Sequence, residues 1–391
     1  MLTSLEFDQI LEVLLRSNDG ISDILFTVNR PLQVEAFGVL KPVYFEPEIH
    51  SLTPFQVEQV ALTLIGNQPR LLHDLHISGS CDTSYALGPN TRFRVNVFRQ
   101  RGHFAVVMRK LESAIPTIDS LGLPPIFKSV AREKNGLVLF TGATGSGKTT
   151  SMAAILEEIN ETQAVHIVTL EDPIEYSHDN QLATFNQREL GLDFTSYPVG
   201  LRAALRQAPK VILVGEMRDR ETVEIVLRSA ETGHLVFSTL HTIDAGQAIG
   251  RILGMFSPSE EKHIRIRLAD TLRYIVSQRL VPRVGGGRHL LTEIMGNNLR
   301  TREAVELGEG ENRTFYEIIE ASATYGWTTF DMSILKAFQE GKITEETALM
   351  YASHKGRVMR DIDTYKKTHG GAFEAGSGLK LDIASTTRGT V

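Results

Sequence analysis

Gly142-Ala143-Thr144-Gly145-Ser146-Gly147-Lys148-Thr149 (GATGSGKT) follows the apolar run Leu137-Val138-Leu139-Phe140 and opens a helix-like segment, Thr150 to Ile159. Strand before and helix after is the setting in which a glycine-rich loop cradles phosphates. Gly142, Gly145 and Gly147 let the backbone curl so that successive N–H groups face one anion, and the positive end of the following helix adds to them. Lys148 supplies a point charge for the β- and γ-phosphates, and Thr149 a hydroxyl for Mg²⁺. A structural turn accounts for the glycines but not for the Lys-Thr pair. The stretch Gly142 to Thr150 (Gly142, Ala143, Thr144, Gly145, Ser146, Gly147, Lys148, Thr149 and Thr150) therefore reads as a P-loop for ATP with Mg²⁺.

Outward from this loop, strand and helix alternate from Ile126 onward. Strands are expected at Leu137 to Thr141, Val165 to Leu170, Val211 to Val214 and Leu235 to Leu240. Helices are expected around Val199 to Gln207 and through Val223, Val226, Leu227 and Ala230, which recur at helical spacing. This is an α/β nucleotide-binding pattern. Ser257-Pro258-Ser259-Glu260 fits a capping box, predicting a helix through about Gln278 that turns Ile264, Leu268, Leu272 and Ile275 inward. Residues 298 to 365 read as largely helical, and 366 to 391, poor in apolar residues, as a flexible tail.

Residues 1 to 112 read as a separate small α+β domain. Helices are expected near Leu5 to Leu15 and from Thr53 or Pro54 to Ile65, with strands at Asp23 to Val28 and Leu32 to Val39. A hairpin follows, Arg92 to Arg99 and His103 to Arg109, in which Phe93, Val95 and Val97 alternate with Arg92, Arg94 and Asn96. One face is core and the other offers arginines. Residues 113 to 125, with three prolines, read as the connection to an ATPase domain spanning 126 to 365.

Composition narrows the function. The chain has 391 residues, 42% hydrophobic and 23% charged, enough for more than one packed core. No run reaches the roughly 18 apolar residues of a membrane span, and MLTSLEFDQI carries acids where a signal peptide carries positive charge. The expectation is a cytoplasmic protein that meets a membrane only through a partner. One cysteine, Cys81, excludes an internal disulfide framework and a multi-cysteine zinc site. A net charge of −6 gives no bulk attraction to nucleic acid.

Other acidic and histidine residues sit where the P-loop would use them. Val211 to Val214 runs into Gly215-Glu216, a carboxylate at the ligand-binding edge of a buried strand and a candidate to hold a Mg²⁺-bound water. Val165 to Leu170 empties into Glu171-Asp172-Pro173-Ile174-Glu175, a loop able to aim a carboxylate at an attacking water, although acidic loops are more often solvated turns. His234 and His241 bracket Leu235 to Leu240. Taken alone, a histidine at a strand end is usually structural.

GATGSGKTT, LEDPIEY, LVGEMRD and AETGHLVFSTLHT, in that order, resemble the secretion and type IV pilus ATPase superfamily in its PilT-like retraction branch, over about residues 20 to 365. The resemblance implies a RecA-like P-loop ATPase core preceded by a small α+β, PAS-like, amino-terminal domain. It implies Glu175 as catalytic carboxylate, Glu216 in an atypical Walker B, and His234 and His241 in a His box. The RFRVN pattern maps onto Arg94, with Arg109 one strand later, as arginines delivered to ATP. Arg92, Arg99 and Arg101 are read as surface charge. A homohexamer acting on an inner-membrane pilus platform protein is further implied.

Absence of a tetracysteine module favours the retraction branch over assembly motors. After Glu293-Ile294-Met295, however, the chain reads GNNLRTREAVELGEG where retraction ATPases resemble AIRNLIRE. That admits a second reading, an accessory or regulatory PilU-like subunit working beside a paralogous pilus ATPase. A nucleic-acid translocase is a third, opposed by the acidic charge and the lack of a basic-aromatic stripe.

Overall fold

The computed structural model describes residues 3–17, 20–44, 50–88, 91–111, 114–311 and 313–369. The chain forms two compact units, Met1–Arg279 with Thr292–Thr329, and Leu280–Leu291 with Phe330–Val391.

The first unit opens with α1 (Ser4–Ser17), β1 (Ile21–Thr27), β2 (Leu32–Ala36), β3 (Val39–Val43), α2 (Pro54–Ile65), α3 (Pro69–Ile77), β4 (Ser80–Leu87), β5 (Thr91–Gln100) and β6 (His103–Lys110). The strands make a six-stranded sheet in the order β3-β2-β1-β6-β5-β4. Helix α2 starts where expected, with Pro54 in its first turn and Thr53 and Gln56 closing a capping box. Phe93, Val95 and Val97 of β5 are buried with Phe7, Leu11 and Leu14 of α1 and Val57 and Ala61 of α2. Burying each such large side chain contributes about 1.5–3 kcal/mol. The hairpin's period of two therefore anchors one face and leaves Arg94 exposed on the other.

The same unit continues through α4 (Ile126–Ala131), β7 (Gly136–Thr141), α5 (Lys148–Thr162), β8 (His166–Glu171), β9 (Thr184–Glu189), α6 (Tyr197–Ala204), β10 (Val211–Val214), α7 (Arg220–Glu231), β11 (Leu235–Leu240), α8 (Ala245–Leu253) and α9 (Pro258–Thr271). With β12 (Leu272–Pro282) and β13 (Arg288–Gly296), the strands form a seven-stranded sheet ordered β13-β12-β7-β11-β10-β8-β9. Every residue of β7, β10 and β11 is buried. Strands covered on both faces read as unbroken apolar runs, which is why these were legible in the sequence. β7, β11, β10 and β8 are parallel, so Thr141, Leu240, Val214 and Glu171 all arrive at one edge.

The helix expected through Gln278 is corrected here. The capping box of Ser257 and Glu260 forms, but α9 ends at Thr271 and the chain continues as a strand paired with β7. The Asn297 amide donates to the carbonyls of Ala269 (2.9 Å) and Leu272 (2.7 Å), acceptors that a longer helix would have used itself. Ile264, Leu268, Leu272 and Ile275 are all buried, the last two from β12.

Helices α10 (Leu299–Leu307) and α11 (Phe315–Ala321) close the first unit. The second unit contains α12 (Phe330–Gln339), α13 (Glu345–Tyr351) and α14 (Lys355–His369), whose core includes Val281, Leu291, Phe330, Ile334, Phe338 and Ile362. Residues 366–369, expected in the flexible tail, belong to α14, and 370–391 lie outside the described residues.

Candidate functional site

β7 delivers Thr141 to the strand edge, and the chain turns at once into the glycine-rich loop. Gly142, Gly145 and Gly147 have φ of 141°, 76° and 89°, values that a side chain disfavours. A Cβ on Gly142 would lie 2.5 Å from both the Gln278 carbonyl oxygen and Ser146 Oγ, so the loop approaches β12 too closely for any side chain. Ala143, Thr144 and Gly145 are exposed, whereas Ser146 and Lys148 are buried and Thr149 is half-buried at the start of α5.

Lys148 Nζ donates to the carbonyls of Gly142 (2.8 Å) and Ala143 (3.1 Å), folding the cation over its own loop. Burial pushes the ammonium below the ordinary lysine value, while Glu175 and Glu216 oppose that shift. Glu175 and Glu216 thus lie within electrostatic reach of the P-loop lysine. Ser146 Oγ is buried without a hydrogen-bond partner, as is Gln278 Oε1 on the neighbouring strand. Backbone amides, an ammonium and a free hydroxyl suit phosphoryl oxygens. Thr149 and Glu216 add hard oxygens of the kind Mg²⁺ takes, one or two from protein and the rest from phosphate and water.

On the acidic loop the two glutamates part company. Glu171 is buried at the end of β8, where its Oε1 accepts from Thr169 Oγ1 (2.6 Å) and Gln187 Nε2 (3.1 Å). Desolvation pushes its carboxyl above the usual range. Glu175 is half-buried further along the loop. Tyr176 hydroxyl and Thr150 Oγ1 lie 3.2 Å apart, so Thr150, expected among the nucleotide contacts, tethers the acidic loop to α5.

Glu216 follows β10, its side chain only 12% exposed. It is ion-paired with Arg218, and His241 Nε2 from the end of β11 lies 3.7 Å from its Oε2. Arg218 was missed in the sequence, although it stands two residues after Glu216 within LVGEMRD. His234 sits at the other end of β11, with Nδ1 2.9 Å from the Ser229 carbonyl oxygen and 3.2 Å from Thr232 Oγ1. A six-residue strand, about 20 Å long, separates it from His241. The structure thus brings His241 to Glu216 and leaves His234 at the end of α7.

Arg94 and Arg109 are direct cross-strand partners in the β5–β6 pair. Arg94 lines a cleft of about 380 Å³ with Asp172 and Pro173 of the acidic loop, Glu189 and Arg70. Arg109 Nε donates to Asp23 Oδ1 (2.8 Å) and remains largely exposed. Arg92 departs from the surface reading. Its guanidinium donates to Glu189 Oε2 (2.9 Å) and Ser84 Oγ (3.2 Å), and Glu189 is nearly fully buried. Such a partner, 97 residues away, has no local signature.

A family model described as type II/IV secretion system protein matches residues 83–322. The type IV pilus ATPase PilU of Pseudomonas aeruginosa is 37% identical over 349 residues, 89% of each chain. The type IV pilus retractation ATPase PilT of the same organism is 36% identical, the match covering 85% of this chain and 94% of that one. A crystal structure of the pilus retraction motor PilT with bound ADP superposes with a TM-score of 0.79 at 38% identity, covering 92% of this chain and all of that one.

Proposed function

The chain belongs to the type II/IV secretion system protein family and is an ATP hydrolase with a RecA-like P-loop core, and from that premise we propose that it works as a homohexameric motor powering type IV pilus retraction. The observation that carries this reading is the glycine-rich loop with its buried Lys148 at the sheet edge where β7, β8, β10 and β11 end, with Glu175 and Glu216 within electrostatic reach of the ammonium. In this mechanism the loop amides and Lys148 hold the β- and γ-phosphates. Thr149 and Glu216, the latter through water, would hold Mg²⁺, which supplies charge neutralisation across those phosphates. Glu175 orients the attacking water and takes its proton. His241 links the Glu216 carboxylate to the end of β11.

The motor's substrate is ATP, and its mechanical partner is a platform protein at the inner-membrane base of the pilus. Among the described residues no helix is long and apolar enough to cross a membrane, and the proposed attachment is peripheral, through that partner. The test is ATPase turnover of the full-length protein with its mass measured in the same buffer. Hydrolysis by a hexamer supports an autonomous motor. Negligible turnover in a well-formed ring supports the accessory reading, which the altered segment 296–310 favours; there, α10 exposes Leu299 and Leu307. Complete loss of retraction on deleting this gene alone would sink the accessory reading.

Arg94 and Arg109 are proposed to stabilise charge on the transferring phosphoryl group, Arg94 from beside the acidic loop. Arg94→Ala or Arg109→Ala is expected to lower kcat about tenfold or more while ATP affinity changes less than about threefold. A matching loss of affinity with unchanged kcat would instead assign them to ground-state binding.

A further inference from the structure

We propose that Gln187, on β9, is a positioning residue for Glu175, acting through the main chain of the loop that carries it. This rests on the proposed role of Glu175 toward the attacking water. One side-chain amide grips the loop at three points. Gln187 Nε2 donates to the carbonyl of Tyr176 (2.8 Å), the residue directly after Glu175, and to Glu171 Oε1 (3.1 Å). Gln187 Oε1 accepts from the backbone N–H of His178 (2.8 Å). Reversing the amide would set donor against donor at His178 and acceptor against acceptor at Tyr176, so the contacts themselves define its orientation.

The opposite side of the loop is held by α5, the helix that begins with Lys148. His178 Nδ1 lies 2.6 Å from Glu157 Oε2, and Asn160 Nδ2 donates to the Asp179 carbonyl (2.8 Å). His178 also stacks on Phe185 of β9, ring centroids 4.4 Å apart. Tyr176, His178 and Asp179 are thus fixed to the P-loop helix, and Gln187 clamps the same segment to the sheet edge. Glu175 itself has no such tether; its place relative to Lys148 is set by its neighbours. Displacing a catalytic group by about 1 Å can cost up to about 100-fold in rate, so loosening this clamp acts on turnover.

The test uses Gln187→Ala and the near-isosteric Gln187→Met in the assembled protein. Each is expected to lower kcat about tenfold with KM for ATP within about twofold and the unfolding midpoint within about 3 °C of the parent. In a Glu175→Asp background, where the carboxylate is already drawn back, the further loss should fall below about threefold, because the two changes act on one geometry. Parental kcat in both variants overturns the proposal. So does a parallel collapse of kcat, KM and unfolding midpoint, or an undiminished tenfold loss in the Glu175→Asp background. An inactive Glu175→Gln beside a normal Gln187→Met overturns positioning alone, whereas a fully active Glu175→Gln removes the premise.

Discussion

Lys148→Ala should weaken ATP binding by about 100-fold or more, measured by calorimetry or by fluorescence of a labelled nucleotide, and hydrolysis at ordinary ATP concentrations should disappear with it. A charge-assisted hydrogen bond contributes about 1.5–3 kcal/mol, and in the proposed mechanism Lys148 makes such bonds with two phosphoryl groups. About 1.4 kcal/mol corresponds to tenfold in affinity. The remaining phosphate contacts, the loop amides and the α5 N-terminus, cannot make up that loss, because a helix terminus contributes only about 0.3–2 kcal/mol toward a nearby anion.

Folding should be much less affected. Lys148 is buried at a cost to its charged form, and the carbonyls it bonds belong to the loop, where Ala143 is exposed to solvent. Substitution removes a buried cation as well as its hydrogen bonds, and water can serve the freed carbonyl of Ala143. A thermal midpoint close to the parent beside absent binding would localise the defect to phosphate recognition. Affinity within threefold of the parent would show that the lysine stays on the Gly142 and Ala143 carbonyls when nucleotide binds.

What the sequence revealed divides along physical lines. The central strands were legible because parallel strands buried on both faces must be continuous apolar runs. The candidate residues on strand-end loops, Lys148, Glu175, Glu216 and His241, stood out for the same reason, since each follows such a run. β9 was not, because Thr184–Glu189 is an edge strand with one apolar residue, Phe185, and an unbroken polar run that includes Gln187 and the buried Glu189. β12 was misread because Leu268, Leu272 and Ile275 satisfy a helical period, although Tyr274, Ile275 and Val276 suit a covered strand. His234 and His241 look alike along the chain, but an intervening strand carries them to opposite edges of the sheet. Contacts between segments distant in the chain, such as Arg92 with Glu189 and Gln187 with Tyr176, leave no local pattern to read.

Glu175→Gln should leave nucleotide bound and hold it unhydrolysed. The substitution preserves side-chain length and hydrogen-bonding reach but removes the basic oxygen, a change that costs about 10²–10⁴ in rate where a general base is used. Binding should be retained or tightened slightly, because the proposed mechanism sets the Glu175 charge near the γ-phosphate, and its removal leaves Lys148 and the loop amides in place. The measurement is single-turnover hydrolysis beside equilibrium ATP binding, so that loss of kcat is seen apart from loss of affinity. Glu171, the other glutamate of the loop, is not equipped to take over. It is buried, pushed toward its protonated form by desolvation, and already bonded to Thr169 and Gln187. Asp172 is different: it is exposed on the same loop and lines the cleft that contains Arg94. Unimpaired turnover in Glu175→Gln would therefore move the search for the base to Asp172, and loss of turnover in Asp172→Asn would then identify it.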